Sequence, residues 1–371
     1  MKILWISGSA IVGGAERVTF QVLGELRRRG HCVSALYRTS RDFEQELSTH
    51  GIDRYPARLG GSLNVAAWVA IGRALWRFRP DVVAVTTSDE WVWACLVRRP
   101  SRTRLVLVRH MSLPLPAKVR WLANRRADAV ITVSEAARSS LLQPPAIAEQ
   151  RLHVIHNPVR LRIRETPPSR TIRMECRKLL GLPAEGRWVG FFGGGEPQKG
   201  INDVLHAIRL TDEALKGCRL LVCGRAARNP RVPTIEQLAA DKGLNAGQVR
   251  YLGQIETIAE ALTACEAIVI ATRSKLSEGA PLIAAESLAC GTPVVGYATG
   301  GTGEVIGDGG LLAHPDDPND LARQLVRVLA DDVLATRLAL TGLKRARLNF
   351  SLSLAADRYD ELFARLFNPA V

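Results

Sequence analysis

Short apolar runs, each followed by a stretch with helical spacing, recur along the chain and constrain its fold more than any other feature. They lie at 2–7, 32–37, 82–87, 104–109, 129–133 and 152–156, and again at 188–192, 219–223, 249–252, 267–271, 293–297 and 311–313. Strands apolar on both faces must be covered on both, and strands alternating with helices build a parallel sheet with helices on either side. The series breaks over 157–186, where Asn157-Pro158 and Pro167-Pro168-Ser169 mark irregular chain around one short helix near 171–181. The expected fold class is therefore α/β, with doubly wound parallel sheets in two domains: 1–160, a linker over 161–186, and 187–349. Leu352, Leu354, Tyr359, Leu362, Phe363 and Leu366 give the last stretch, 350–371, the spacing of a helix that crosses back to the first domain. A chain of 371 residues, 47% of them hydrophobic, can bury two such cores.

The formal charge of +14 is unevenly divided. Residues 1–165 hold 26 Lys and Arg against 13 Asp and Glu, whereas residues 166–371 hold 24 against 23. A basic first half implies an anionic partner: nucleic acid, an anionic membrane surface or an acidic substrate. Trp5, Trp68, Trp76, Trp91, Trp93 and Trp121 share that half. Arg with Trp is the combination of the lipid headgroup region, and the competing reading is Trp in the core with Arg in solvent. A nucleic-acid partner rests on charge alone, without a recognisable module, and none is expected.

The seven Cys are scattered and show no ligand spacing, and there is no Asp-x-Asp. Reduced core thiols, a cytoplasmic location and chemistry without metal or cofactor are expected. The apolar run within Met1–Gly8 is short for a signal peptide, and no run approaches membrane-spanning length, so a soluble or peripheral protein is expected.

The sharpest local feature runs from Ser277 to Pro293. Pro281 and Gly291 punctuate a helix of about ten residues, with Glu278 just before it and Glu286 within an otherwise apolar run. A carboxylate there is costly without hydrogen-bond donors, which a ribose diol would supply. The free N–H groups of residues 279–282 (Gly279, Ala280, Pro281, Leu282) are placed to hold a phosphate or sugar oxygen. The alternative is an acidic N-terminal residue at Glu278 and a Glu286–Arg pair. Lys199 falls between a strand and a helix, at the sheet edge where such folds bind ligands. Residues 194–200 are not a P-loop, and Gly8 to Gly14 do not form a dinucleotide fingerprint.

Glu278-x7-Glu286, Ala289-Cys290-Gly291-Thr292-Pro293 and Gly300-Gly301-Thr302-Gly303-Glu304 together resemble the retaining family 4 glycosyltransferases. The likeness extends to Gly13-Gly14-Ala15-Glu16-Arg17, Ile131-Thr132-Val133-Ser134, His156-Asn157-Pro158-Val159 and Lys199-Gly200. It implies the GT-B fold, two facing Rossmann-like domains with a cleft between them, the acceptor held mainly by the first and a nucleotide-diphosphate sugar by the second. UDP is the favoured nucleotide. Lys199 would neutralise the diphosphate, Glu286 hold the ribose, and Glu278 and His110 contact the transferred sugar. Gly13, Gly14, Arg17 and Arg109 would line the acceptor side, where Arg109 suits an acidic group. The acceptor would be a glycan or glycolipid of bacterial lipopolysaccharide or another surface polysaccharide, reached from the inner face of the membrane. Many relatives carry Arg where this chain has Gly194, so Arg225, or backbone N–H groups of Gly194 and Gly195, would complete the phosphate clamp. A nucleotide-sugar epimerase of the same fold, or a nucleotide-sugar-binding protein without transfer, are the alternatives.

Overall fold

The computed structural model describes residues 1–367 apart from 62, 63, 98, 99, 101, 227–232 and 277. Ser277 of the glutamate motif and the last four residues of the expected terminal helix thus lie outside the described residues. The chain divides into two compact units, Met1–Arg160 with Ser351–Val371, and Leu161–Phe350.

Unit 1 runs β1 (Lys2–Ser7), α1 (Gly14–Arg28), β2 (Cys32–Arg38), α2 (Arg41–Thr49), β3 (Asp53–Ala57), α3 (Val65–Phe78), β4 (Val82–Val85), α4 (Ser88–Leu96), β5 (Arg104–Arg109), α5 (Ala117–Arg126), β6 (Ala129–Thr132), α6 (Glu135–Ser139) and β7 (Leu152–Val154). Unit 2 runs α7 (Arg170–Leu179), β8 (Arg187–Phe191), α8 (Ile201–Leu215), β9 (Cys218–Val222), α9 (Ile235–Asp241), β10 (Val249–Tyr251), α10 (Ile258–Ala264), β11 (Ala267–Ile270), α11 (Leu282–Ala289), β12 (Val294–Tyr297), α12 (Thr302–Ile306), β13 (Gly310–Ala313), α13 (Pro318–Ala330) and α14 (Asp332–Asn349). The last helix, α15 (Leu352–Phe367), returns to unit 1.

Among the described residues each unit holds one parallel sheet, in the order β3-β2-β1-β4-β5-β6-β7 in unit 1 and β10-β9-β8-β11-β12-β13 in unit 2. The order reverses between β1 and β4, and again between β8 and β11. At such a switch point the flanking connections leave for opposite faces, opening a crevice beyond the carboxyl ends of the strands. Strands such as Val82–Val85 are buried on both faces because helices cover both. On one face of the first sheet, Ile3, Trp5, Phe20, Leu23 and Phe43 pack with Ala356, Tyr359 and Phe363 of α15. On the other, Leu4, Ile6, Val83 and Leu107 meet Ile71 of α3, Trp91 of α4 and Ala123 of α5.

Two elements differ from the sequence expectation. Strand β3 went unseen because Asp53-Arg54-Tyr55-Pro56-Ala57 is neither apolar nor alternating. Among the described residues it pairs only with β2, and an edge strand tolerates both Pro and charge. The stretch 161–186 is not a free connection but part of unit 2. Arg177 of α7 is buried there, donating to the carbonyls of Ala264 and Ala184 and pairing with Glu266, contacts invisible in a polar, proline-marked stretch.

Candidate functional site

Beyond the carboxyl end of β8, the chain makes a glycine turn, a 3-10 turn over Pro197–Lys199, and then α8. Gly200 caps α8 with φ of +82°, and a Cβ there would stand 2.1 Å from the carbonyl oxygen of Ala271, just past β11. Only glycine lets these two backbones meet at the switch point. Lys199, immediately before it, forms an ion pair with the carboxylate of Glu278. The structure thus joins two predicted site residues 79 positions apart in the chain. Burial lowers the Lys199 pKa, opposed by the negative charge of Glu196. The ammonium lies in the field of two carboxylates, Glu278 as its partner and Glu196 by charge, so an incoming diphosphate competes with Glu278 for it.

The glycine turn corrects one expectation. Gly194 N–H donates to the carbonyl of Cys223 at 2.9 Å, and Gly195 N–H donates to that of Arg225 at 2.9 Å. Neither is available to a phosphate. Both staple the turn to the loop after β9, leaving the exposed Arg225 side chain at this edge as the cation that could stand in for the missing arginine.

Helix α11 is framed as its punctuation indicated, though shorter, with Pro281 as N-cap and Gly291 just past its end at φ of +70°. Its open N–H groups belong to the first turn and the residues before it. Pro281 has none to give, so Gly279, Ala280 and Leu282 remain of the four residues proposed. The Glu278 carbonyl accepts from Gly301 N–H, tying the motif to the glycine run after β12. Glu286 is completely buried in α11, and its charge acts on the thiol of Cys290, whose pKa is pushed up to about 12, first by burial.

In unit 1 the switch point holds a cavity of about 260 Å³. Phe20, Leu23 and Phe43 give it apolar walls, and Trp5, Ser7, Arg109 and His110 are among the other residues that line it. His110 follows β5, as the sequence indicated. Both of its ring nitrogens are buried without a partner among the described residues, and its pKa is pushed down to about 4, by burial and then by Arg109. Arg109 donates from Nη2 to the carbonyl of Leu113, while burial lowers its pKa. Gly13 caps α1, its N–H given to the Glu16 carboxylate at 2.9 Å, and Gly14 begins the helix. Arg17 does not line the cavity; it pairs with Glu46 at 3.4 Å on the surface. Sequence reasoning missed Trp5 and Ser7, whose strand reads as plain core.

Helices α3 and α5 carry exposed Trp68, Trp76 and Trp121, with Trp76 exposed at 77% and Arg125 lying over the Trp121 ring. Arg73 and Arg77 of α3, Arg79 just after it, and Lys118 and Arg126 of α5 are exposed as well. Arg120 is not part of this face. It is buried and donates to the carbonyls of Leu115, Pro144 and Pro145. Trp5 and Trp91 belong to the core. Among the described residues no helix is long and apolar enough to cross a membrane.

Two family models match the chain: "Glycosyltransferase Family 4" over residues 12–162 and "Glycosyl transferases group 1" over residues 186–331. A D-inositol 3-phosphate glycosyltransferase of Stackebrandtia nassauensis is 33% identical over 197 residues, 50% of this chain and 43% of that protein. Another, of Nocardioides sp., is 30% identical over 254 residues, 64% of this chain and 54% of that protein. The chain therefore matches about half the length of these curated relatives. The solved structure of HepE from Anabaena in complex with UDP has a TM-score of 0.84 at 23% identity, covering 98% of this chain and 100% of that one. That likeness shows the same two-sheet GT-B architecture.

Proposed function

We infer that the chain, which belongs to the family 4 glycosyltransferases, moves a sugar from a nucleotide-diphosphate donor to a hydroxylated acceptor. The observation that carries this reading is the meeting of Lys199 and Glu278 at the switch point of unit 2, beside the N-terminus of α11. A cation, a carboxylate and helix N–H groups at one place suit a sugar diphosphate, which offers anionic oxygens and hydroxyl donors together. Lys199 and Arg225 take the diphosphate, Gly279, Ala280 and Leu282 N–H groups take phosphate or sugar oxygens, Glu278 accepts from the transferred sugar, and Glu286 accepts from the ribose. UDP is the favoured nucleotide, supported by the UDP complex of the Anabaena neighbour.

Transfer proceeds with retention. The bond from the anomeric carbon to the diphosphate oxygen breaks, and the acceptor oxygen bonds to that carbon on the same face. The acceptor proton passes to the departing phosphate oxygen. Fixed cations around that phosphate lower the barrier, because charge accumulates there only as the bond breaks.

The acceptor is a glycan or glycolipid of a bacterial surface polysaccharide, such as lipopolysaccharide. The face of α3 and α5 would hold the enzyme on the anionic inner surface of the membrane, with Trp rings at headgroup depth and Arg above them. The test is release of UDP from UDP-sugars by the purified protein, with and without acceptor extracts. Acceptor-dependent release supports transfer. Donor turnover that ignores acceptor would point to epimerisation or hydrolysis.

A further inference from the structure

The segment that leads from β11 to Glu278 is held by polar contacts rather than by burial. Arg273, Ser274 and Lys275 are all exposed, yet Glu278, just beyond them, is fixed in an ion pair with Lys199. At the start of the segment the N–H of Arg273 donates to the carbonyl of Gln198 at 3.2 Å, one residue before Lys199. At its end the Glu278 carbonyl accepts from Gly301 N–H at 3.0 Å. Between these points the chain makes a 3-10 turn over Ser274–Leu276, and one carboxylate takes hold of it. Asp316, after β13, accepts from Ser274 N–H at 3.2 Å with Oδ1 and from the Ser274 hydroxyl at 2.5 Å with Oδ2. The Arg273 guanidinium lies 3.7 Å from the same carboxylate and 3.5 Å from that of Asp203, in the first turn of α8. Asp203 is itself buried and accepts from the Tyr297 hydroxyl at 3.2 Å.

Asp316 does this from an unfavourable backbone conformation. Its φ is +58°, in the left-handed region that glycine enters freely and other residues enter at a cost. A position that only had to turn the chain from β13 into α13 would be served better by glycine. A side chain kept in such a conformation points to a use for that side chain. Here both carboxylate oxygens are engaged by Ser274, 42 positions away in the chain. What Asp316 fixes is therefore the segment ahead of α11, and what that segment carries is Glu278.

We propose that Asp316 is a positioning residue for Glu278, holding the turn over 274–276 so that the Glu278 carboxylate stays against Lys199. Its own carboxylate is engaged by Ser274, so it acts on the donor through Glu278. The proposal rests on the transferase reading for the task of Glu278, which accepts from the transferred sugar. It also separates two properties of the unit 2 site. Lys199 lies on another segment, before α8, so holding a nucleotide diphosphate does not depend on Asp316. Engaging the sugar does.

The experiment centres on Asp316→Gly, which removes the carboxylate from a position that suits glycine, so the full-length variant is expected to fold and to melt close to the wild type. Hydrogen exchange of the ligand-free protein, read in peptic fragments containing residues 273–276, should speed up about tenfold, while fragments of β8 and α8 stay unchanged. UDP-glucose, UDP-galactose and UDP-N-acetylglucosamine are the donor probes. For whichever of them the wild type turns over, kcat should fall about ten- to a hundredfold, the cost of misplacing a group near the reacting centre, with the Kd for UDP changed less than about twofold. Ser274→Ala should move both readouts in the same direction by less, and adding it to Asp316→Gly should cost nothing more, because both remove one contact. Asp316→Asn keeps an oxygen for the Ser274 N–H and should restore part of each. The proposal is overturned by unchanged exchange in Asp316→Gly, by unchanged turnover, or by a loss of UDP affinity as large as the loss of turnover. Should the wild type bind no UDP and turn over none of the sugars, the transferase reading falls, and exchange alone decides whether Asp316 holds the segment.

Discussion

A Cβ on residue 194 would stand 2.0 Å from the carbonyl oxygen of Arg225, in a turn where Gly194 holds φ of +56°. Position 194 therefore cannot carry an arginine without rebuilding both loops. Gly194→Ala and Gly194→Arg are each expected to destabilise unit 2 by about 1–3 kcal/mol through strain and collision, read from urea denaturation midpoints. Neither should tighten UDP binding. A Gly194→Arg protein as stable as the wild type and binding UDP more tightly would show that the turn adapts.

The two cations at this edge should divide their labour. Lys199→Ala is expected to lower turnover by one to two orders of magnitude while changing affinity for free nucleoside little, because its charge acts as the phosphate departs. Arg225→Ala should lower affinity for UDP more than for uridine. Steady-state kinetics beside calorimetry with the two ligands separates these effects. Identical profiles for the two variants would remove the distinction.

Legibility in the sequence followed burial and sharing. Strands buried on both faces, such as Val82–Val85, announce themselves by composition, and so does the apolar helix carrying Glu286. Helix α11 is also bracketed by Pro281 and Gly291, whose backbone preferences are local. The occupied N–H groups of Gly194 and Gly195 were not legible, because their acceptors, Cys223 and Arg225, come from a loop some 30 residues away. Trp5 and Ser7 were invisible for the opposite reason. A core strand looks the same in sequence whether the atoms beyond it are packed or open to a cavity.

Glu286→Ala is expected to weaken UDP binding by about 1.5–3 kcal/mol, the range for hydrogen bonds to a charged group. Because Glu286 is completely buried, the variant also tests packing. Glu286→Gln keeps the shape and removes the charge, so it should fold like the wild type and still bind UDP less well. Calorimetry on both variants, with melting curves as the control, decides the matter. Undiminished affinity in a folded Glu286→Gln would assign the carboxylate a purely structural role.

His110 makes stability depend on pH. Its folded pKa is about 4 against an ordinary value of 6.5. Between those values the unfolded chain binds a proton that the folded ring refuses, so stability falls as pH drops from about 6.5 towards 4. The full effect is about 3 kcal/mol. Denaturant titrations at several pH values should show a flatter profile in His110→Gln than in the wild type. Burial also lowers the pKa of His50 and His153, but those contributions are common to both proteins and cancel in the difference. Parallel profiles would mean that the ring is solvated in solution.

Binding to membranes should reside in α3 and α5. Helices α3 and α5 cover the same face of the first sheet, and Trp76, Trp121, Arg73, Arg77, Lys118 and Arg125 on them are all exposed. Each basic residue near an anionic surface contributes on the order of 1 kcal/mol, so several together hold a protein without a spanning helix. The protein is expected to co-sediment with phosphatidylglycerol vesicles at low ionic strength, to release at high salt, and to ignore phosphatidylcholine vesicles. Trp76→Ser with Trp121→Ser should reduce binding while leaving UDP affinity unchanged, since both residues belong to unit 1 and the Lys199–Glu278 site to unit 2. Charge reversal at Arg73 and Arg77 should abolish the salt-sensitive part. If the wild type stays in the supernatant with anionic vesicles at low salt, the basic half must serve an acidic soluble acceptor, and the exposed tryptophans need another partner.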